Sequence, residues 1–287
     1  MLKQRIITAL LLAPLVIAAI FYLPPLYFSL FIAVVITLGA WEWGPFMGFT
    51  SKVQRIAFCV LLFGVMAITQ FMVPAENIWV GDNQLAMPYQ VGVVTAAVWW
   101  ALSLAFILIY PRGQRVWRKN IAVKGAFGLL TLLPAWLAIN ALRHMNYEQD
   151  AFFGAWMICI VLGIVWATDI GAYFSGKSFG KHKLMPNVSP NKTMEGLLGG
   201  VLFAVLFVLA ISYYHDVSHS LWLEYAFFTA IIALASAVGD LSESMLKRDA
   251  GIKDSGKLLP GHGGVLDRID SLTAAAPVFI VIYSFWG

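Results

Sequence analysis

Long apolar runs separated by short polar stretches dominate this chain of 287 residues. A helix needs about 20 apolar residues to cross the hydrocarbon core of a bilayer, and about 17 are enough. The strict alternation of apolar and polar residues that a membrane β-barrel requires is absent from these runs. The pattern therefore predicts an all-α integral membrane protein with about nine transmembrane helices: 5–23, 26–44, 55–73, 91–110, 125–142, 152–173, 196–214, 220–239 and 271–286.

Basic residues fall almost entirely on one of the two sides that these spans define. With a cytoplasmic N-terminus, 18 of the 19 Lys and Arg residues lie on the cytoplasmic side and only Arg143 lies opposite. Cytoplasmic loops carry such an excess, so we expect a cytoplasmic N-terminus and a C-terminus on the other side. The opposite side carries acids instead: Glu76, Asp82, Glu148, Asp150 and Asp216.

The first apolar run has a second interpretation, because a basic start followed by apolar residues also describes a signal peptide. The run extends to Leu23, which is long for a signal peptide, and no small-x-small cleavage pattern precedes Pro24. These features favour a membrane span.

Composition supports the membrane class and narrows the functions. The chain is 60% apolar and 12% charged, with a mean hydropathy of +0.79, which an ordinary soluble core does not need. The net charge of +4 suits membrane orientation and anionic substrates, and no basic run interleaved with aromatic residues indicates a nucleic-acid partner. Cys59 and Cys159 both lie in apolar runs, which argues against a disulfide framework or a cysteine metal site.

We expect one polytopic membrane domain over residues 1–287, because no repeat or linker divides the chain. Polar residues are unevenly spread: 11 of the 34 charged residues fall within 240–271. Residues 1–150 therefore read as scaffold helices, and residues 151–287 read as the catalytic half with a polar cavity at the cytoplasmic face. A wet extramembrane loop is the simpler explanation of the same charges.

Asp240, Glu243, Ser244 and Lys247 share one face if the eighth helix continues past Gly239. Two carboxylates on one stripe suit a site for Mg²⁺, which prefers hard oxygen ligands and often binds one or two carboxylates plus substrate phosphates. A solvated helix end with an ion pair between Glu243 and Lys247 fits this spacing equally well.

The glycine-rich stretch 260–264 can bring successive backbone N–H groups to an anion, although it also reads as a flexible turn. His262 within it is a candidate phosphate contact or proton shuttle. Asp267 and Asp270 then lie on one face of a first helical turn, where carboxylates are favoured in any case. A metal shared by Asp240 and Asp267 is geometrically plausible, because the loop can fold back.

A second polar group covers residues 166–196. Asp169 lies inside an apolar helix, and an acid there suggests a functional role. The segment 189–193 offers hydroxyls, an amide and a cation just before a helix start, which suits phosphate; capping by Thr193 or Asn191 is the structural alternative. Glu42, between two tryptophans, receives no role. The GxxxxGK[ST], HExxH, CxxC and GxSxG motifs are absent, and the mixture of acids, bases and glycines suits phosphoryl or nucleotidyl transfer.

These residues resemble the signature of the phosphatidate cytidylyltransferase family, also called CDP-diacylglycerol synthases. The match is gapless over about 27 residues and shows no departure from the family pattern. It comprises Ser244-x-x-Lys247-Arg248, Lys253-Asp254-x-Gly256 and Pro260-Gly261-His262-Gly263-Gly264-x-x-Asp267-Arg268-x-Asp270. The upstream Asp169-x-x-Ala172-Tyr173 and Ser189-Pro190-Asn191-Lys192-Thr193-x-Glu195-Gly196 also resemble it.

The resemblance implies that CTP and phosphatidic acid give CDP-diacylglycerol and pyrophosphate. It implies Mg²⁺ at Asp240 and Asp267, an associated monovalent cation such as K⁺, a homodimer, and a bacterial-type inner membrane with the site facing the cytoplasm. Lys192, Lys247, Arg248 and Arg268 would clamp phosphates, Gly263 and Gly264 would offer backbone N–H groups, and Asp169 and Asp270 would support the metal. The other candidate substrate contacts are Ser189, Asn191, Thr193, Lys253, Asp254 and His262.

Two other functions fit parts of the pattern. A CTP-dependent kinase acting on a lipid alcohol would use similar groups but would release no pyrophosphate. An ion-coupled secondary transporter would place Asp169 and Asp240 in an ion path. Transporters often show internal repeats and mid-membrane sites, whereas the acids here gather at one face.

Overall fold

A computed structural model of the chain describes residues 2–81 and 83–286; the side chains of residues 2–7 and 9 lie outside this description. The side chains of Lys3 and Arg5, which we expect on the cytoplasmic side, are therefore outside the description. Asp82, which we expect on the opposite side, lies outside the described residues. The helices are α1 Leu2–Tyr22, α2 Pro25–Met47, α3 Lys52–Met72, α4 Met87–Leu108, α5 Ile121–Arg143, α6 Phe153–Phe179, α7 Met194–Tyr214, α8 Trp222–Asp249 and α9 Leu266–Trp286.

The all-α, multi-pass architecture is confirmed. Within the described part of the chain, α2 to α9 are long and apolar enough to cross a membrane. The described apolar stretch of α1, Leu10–Tyr22, is shorter by itself than a span requires, so the ninth span and the orientation stay predictions. The observed α8 runs on to Asp249, as the shared face of Asp240 and Lys247 requires.

The centre of the bundle is α5, which packs against α2, α4 and α9, with α6 alongside. Trp136 of α5 is fully buried, and its Nε1 donates to the Ser29 carbonyl oxygen at 3.1 Å. The Ser29 hydroxyl donates to Asn140 Oδ1 at 2.5 Å. Buried polar groups thus find partners on neighbouring helices, which a hydrocarbon environment demands.

The helix ends form two groups, here called the site end and the far end. The site end holds the connections after α2, α4, α6 and α8. Contacts between residues near these helix ends support this grouping: Trp43 Nε1 donates to the Lys124 carbonyl oxygen at 3.0 Å, and the Lys124 ammonium lies 2.9 Å from Asp249 Oδ2. The far end holds the described residues 73–81 and 83–86 and the connections 144–152 and 215–221.

A small hairpin at the site end was not predicted. Strands β1 Lys183–Met185 and β2 Ser189–Thr193 pair antiparallel between α6 and α7. Thr193 ends the hairpin and caps α7, where its Oγ1 accepts the Gly196 N–H at 3.1 Å. The capping interpretation of Thr193 is therefore correct, and it leaves this buried hydroxyl engaged by the protein itself.

Candidate active site

The polar side chains that the sequence singled out come together where α8 and α9 leave the bundle at the site end. The contributing elements are α6, the hairpin, α8, the first turn of α9, and residues 250–265, here called the signature loop. These elements come from distant parts of the chain, and the loop connects α8 directly to α9. The site is therefore built around the helix pair α8 and α9, and α6 and the hairpin contribute the remaining side chains.

Lys247 lies between two acids. Its Nζ donates to Glu243 Oε2 at 2.8 Å and to Asp267 Oδ1 at 2.7 Å. The pair at spacing i, i+4 expected within α8 is present, but the contact with α9 was not part of that expectation. Because Glu243 and Asp267 are both largely buried, a single ammonium group balances two carboxylates that water reaches poorly.

Asp267 accepts hydrogen bonds from both a side chain and the backbone. Besides the bond from Lys247, its carboxylate accepts the Gly264 N–H at 2.8 Å and the Ser255 N–H at 3.0 Å and 3.2 Å. The signature loop therefore wraps this side chain with its backbone. The expected anion nest is partly occupied, since the Gly264 N–H already points at a carboxylate of the protein.

Asp240 has a cation of its own. Lys192, which β2 carries across the site end, donates to Asp240 Oδ2. The Ser244 hydroxyl, one turn along α8, donates to Asp240 Oδ1 at 3.3 Å. Asp240 and Asp267 are thus each paired with a different lysine.

Four acids at the site are close enough to interact electrostatically: Asp169, Asp240, Glu243 and Asp270. Asp240 lies close enough to Asp169 and to Asp270 for their charges to interact, and Asp270 is likewise close enough to Glu243. Acids in such proximity fit a divalent cation, because hard oxygen donors are its preferred ligands. Among the described residues, no three His, Cys, Asp or Glu side chains lie close enough together to form a metal-ligand set by themselves.

Two arginines border this cluster through backbone contacts. Arg248 Nε donates to the Val188 carbonyl oxygen of the hairpin turn at 3.2 Å, and Arg268 Nε donates to the His262 carbonyl oxygen at 3.0 Å. Both residues are exposed. Each arginine thus ties the cluster to a neighbouring loop while keeping further guanidinium N–H groups for a ligand.

The structure places the other predicted substrate contacts around the cluster of charged residues and not within it. Asn191, Lys253 and Asp254 are exposed, and Ser189 is half-buried at the start of β2. His262 is half-buried, and its buried Nδ1 has no hydrogen-bond partner within the described residues. The structure thus gathers the other predicted acids, lysines and arginines into the cluster and leaves Ser189, Asn191, Lys253, Asp254 and His262 around it.

Sequence reasoning assigned no role to Glu42 or to Ser255. Glu42, on α2, is 2% exposed. Its Oε2 accepts the Ser255 hydroxyl at 3.3 Å and the Leu266 N–H at 2.8 Å. The available signal was an acid inside an apolar run, but its partners lie 213 and 224 residues away along the chain, and no spacing rule reaches them.

Two cavities, of about 350 Å³ and 710 Å³, lie elsewhere, and neither contains a predicted site residue. The smaller is lined by residues of the far end, including Glu76 and His144. The cluster is instead an open, half-buried group of side chains at the site end of the helices. Its lysines and arginines can bind phosphate oxygens and its acids can bind a cation, as phosphoryl or nucleotidyl transfer needs.

Comparison with known proteins gives a consistent result. The model of the cytidylyltransferase family matches residues 3–286. A Pseudomonas aeruginosa phosphatidate cytidylyltransferase is 43% identical over 289 residues, covering 100% of this chain and 99% of the relative. A Haemophilus influenzae phosphatidate cytidylyltransferase is 39% identical over 290 residues, covering 99% of both. The chain therefore belongs to the cytidylyltransferase family.

Proposed function

We propose that this chain transfers the cytidylyl group of CTP to phosphatidate, giving CDP-diacylglycerol and pyrophosphate. A phosphate oxygen of phosphatidate forms a bond to the α-phosphorus of CTP. The bond from that phosphorus to the bridging oxygen of the β-phosphate breaks, and pyrophosphate leaves with the electron pair. The attacking phosphate is already an anion near neutral pH, so the reaction does not depend on a general base.

The observation that carries this proposal is the cluster of Lys192, Asp240, Lys247 and Asp267 at one end of the helices. Together with family membership over the whole chain, it favours a reaction between polyphosphates. Its position at the helix ends suits one water-soluble substrate and one lipid. CTP approaches from water, while the acyl chains of phosphatidate remain in the bilayer.

The acids of the cluster fit Mg²⁺, as their oxygen chemistry and mutual proximity indicate. Asp240 and Asp267 would hold it, with Asp169 and Asp270 in support, and a monovalent cation such as K⁺ would accompany the site. A metal held by these residues would supply positive charge to the phosphates and so favour the departure of pyrophosphate. This assignment requires the carboxylates to exchange lysine contacts for other partners.

The basic residues provide the remaining charge. Lys192 and Lys247 are half-buried beside the acids, and Arg248 and Arg268 lie at the margin with further guanidinium N–H groups to offer. We assign these four side chains to phosphate oxygens of the two substrates. Charge that is fixed before the reaction stabilises a transition state without reorganisation at the moment of transfer.

Three further features belong to this proposal. The site end faces the cytoplasm, because nearly all basic residues lie on that side of the predicted spans. The membrane is the inner membrane of a bacterial-type cell, and the active form is a homodimer, as the family resemblance implies. The site end is also where a cytoplasmic nucleotide would arrive.

The direct test uses membranes that contain the protein, with CTP labelled in the cytosine ring, phosphatidic acid and Mg²⁺. Labelled CDP-diacylglycerol and one equivalent of pyrophosphate are expected, and EDTA is expected to stop both. A phosphorylated lipid without pyrophosphate would instead indicate a CTP-dependent kinase. No labelled lipid from protein that is folded and well expressed would refute the proposed function.

A further inference from the structure

We propose that Glu42 is a positioning residue for the reaction: it holds the signature loop in the shape that places Asp267 in the site. This inference rests on the proposed function, since it assigns Asp267 to the reaction. Glu42 lies on α2, and its hydrogen bonds among the described residues go to Ser255 and Leu266 rather than to the charge cluster. Its effect must therefore pass through the signature loop.

The first step is the contact of Glu42 with both the signature loop and the start of α9. Its Oε2 accepts the Ser255 hydroxyl at 3.3 Å and the N–H of Leu266, the first residue of α9, at 2.8 Å. One carboxylate oxygen therefore links the middle of the loop to the start of the helix that carries Asp267.

The second step is that the same loop residues hold Asp267. Ser255 gives its hydroxyl to Glu42 and its backbone N–H to Asp267. Gly264 packs against Glu42 and gives its N–H to Asp267 at 2.8 Å. Glu42 and Asp267 thus contact the same stretch of backbone, so displacement of that stretch moves the donors of Asp267.

The third step is the closeness of this packing. A Cβ atom added to Gly256 would lie 2.0 Å from Glu42 Oε1, and one added to Gly264 would lie 2.4 Å from Glu42 Oε2. Such distances leave no room for a side chain. Gly256 does not have a positive φ, so its backbone conformation does not require glycine. Its lack of a side chain instead allows Glu42 to pack closely against it.

Glu42 is well suited to act as a fixed point. Its neighbour Trp43 is buried and is anchored to the α5 backbone through the Lys124 carbonyl oxygen. A carboxylate that is 2% exposed costs free energy unless it is hydrogen-bonded. Seating the loop provides this acid with donors, and the acid in turn orders the loop.

The test compares Glu42→Ala and Glu42→Gln with Ser29→Ala, a matched control that removes another buried interhelical hydrogen bond of α2. Activity is measured per folded protein, quantified by size-exclusion chromatography in detergent. For Glu42→Ala we expect kcat and kcat/KM for CTP to fall together, by about 10- to 100-fold. Glu42→Gln keeps the side-chain length and one acceptor oxygen and should recover much of this loss, while Ser29→Ala should retain wild-type kinetics.

Trypsin provides a readout that does not depend on activity. Lys257 is exposed within the signature loop, and a loop released from Glu42 should be cut there about tenfold faster. This experiment remains informative if the wild-type protein proves to have no transferase activity, so failure of the proposed function and failure of this inference can be told apart. Equal cleavage rates in wild type and Glu42→Ala would overturn the inference.

A double substitution tests the contact itself. Gly256→Ala should impair the wild-type protein because its methyl group meets Glu42, but it should add little to Glu42→Ala, where the space is empty. Such strong non-additivity is expected for residues in direct contact. Independent, additive losses from the two substitutions would contradict the proposal, as would wild-type kcat in folded Glu42→Ala.

Discussion

At the scale of single residues, the centre of the site is a set of acids paired with lysines. Lys247 serves both Glu243 of α8 and Asp267 of α9, while Lys192 serves Asp240. Removing one partner from such a group leaves a poorly solvated charge behind, which is more costly than never having had the pair. Substitutions that keep shape but remove charge are therefore the most informative ones.

Among substitutions that keep the shape of a side chain but remove its charge, Asp267→Asn is the most informative. The amide keeps the size of the side chain but places an NH₂ group against donors that include Lys247 and the Gly264 N–H. We expect at least about a 100-fold loss of cytidylyl transfer with protein still folded in the membrane. The matched control is Glu148→Gln at the far end, which removes a charge without touching the site. Transfer at the wild-type rate in Asp267→Asn would rule out the metal assignment.

At the scale of elements, hydropathy predicted the helices well because each span must be apolar over a nearly fixed length. The hairpin was missed because its strands are short and contain Lys, Asn and Pro without apolar alternation. Its consequence was missed too: β2 carries Lys192 to Asp240. Local patterns likewise foresaw the Glu243–Lys247 pair, but not the contact of Glu42 with Leu266 across the fold.

The signature loop gives a second prediction. Gly263 and Gly251 both have positive φ, of 85° and 70°, where a Cβ costs about 1–2 kcal/mol. A Cβ at Gly263 would also lie 2.8 Å from Asp267 Oδ2, whereas nothing lies within 4 Å at Gly251. Gly263→Ala should therefore lower kcat strongly and Gly251→Ala only slightly, as steady-state assays would measure. Equal losses of kcat in the two variants would indicate that backbone strain, and not the contact with Asp267, causes the effect, and would contradict this prediction.

A buried ion pair between helices gives the third prediction. Lys124 of α5 and Asp249 of α8 have side chains that are 9% and 1% exposed. Lys124→Met leaves the Asp249 charge without this partner and should destabilise the protein by about 3–5 kcal/mol. Adding Asp249→Leu should restore most of the thermal stability measured in detergent, and exposed Lys119→Met should change little. A double variant no more stable than Lys124→Met would contradict this.

At the scale of the whole molecule, helix order and basic residues together predict which end faces the cytoplasm. The labelling test introduces single cysteines as Lys119→Cys at the site end and Glu148→Cys at the far end, with Cys59 and Cys159 replaced by Ala. A membrane-impermeant maleimide applied to cells with a permeabilised outer membrane should label only the far-end variant. Disruption of the inner membrane should then expose the other. The reverse pattern would overturn the orientation.

The link between Glu42 and the loop that precedes α9 has a consequence for biosynthesis. The ribosome delivers α2 early and residues 255–266 near the end of translation. Until then, the Glu42 carboxylate lacks the donors of Ser255 and Leu266, although its helix has already been made. A chain interrupted before residue 255 would leave this buried acid without either donor. The site and the packing around Glu42 are therefore completed at the same late stage of synthesis.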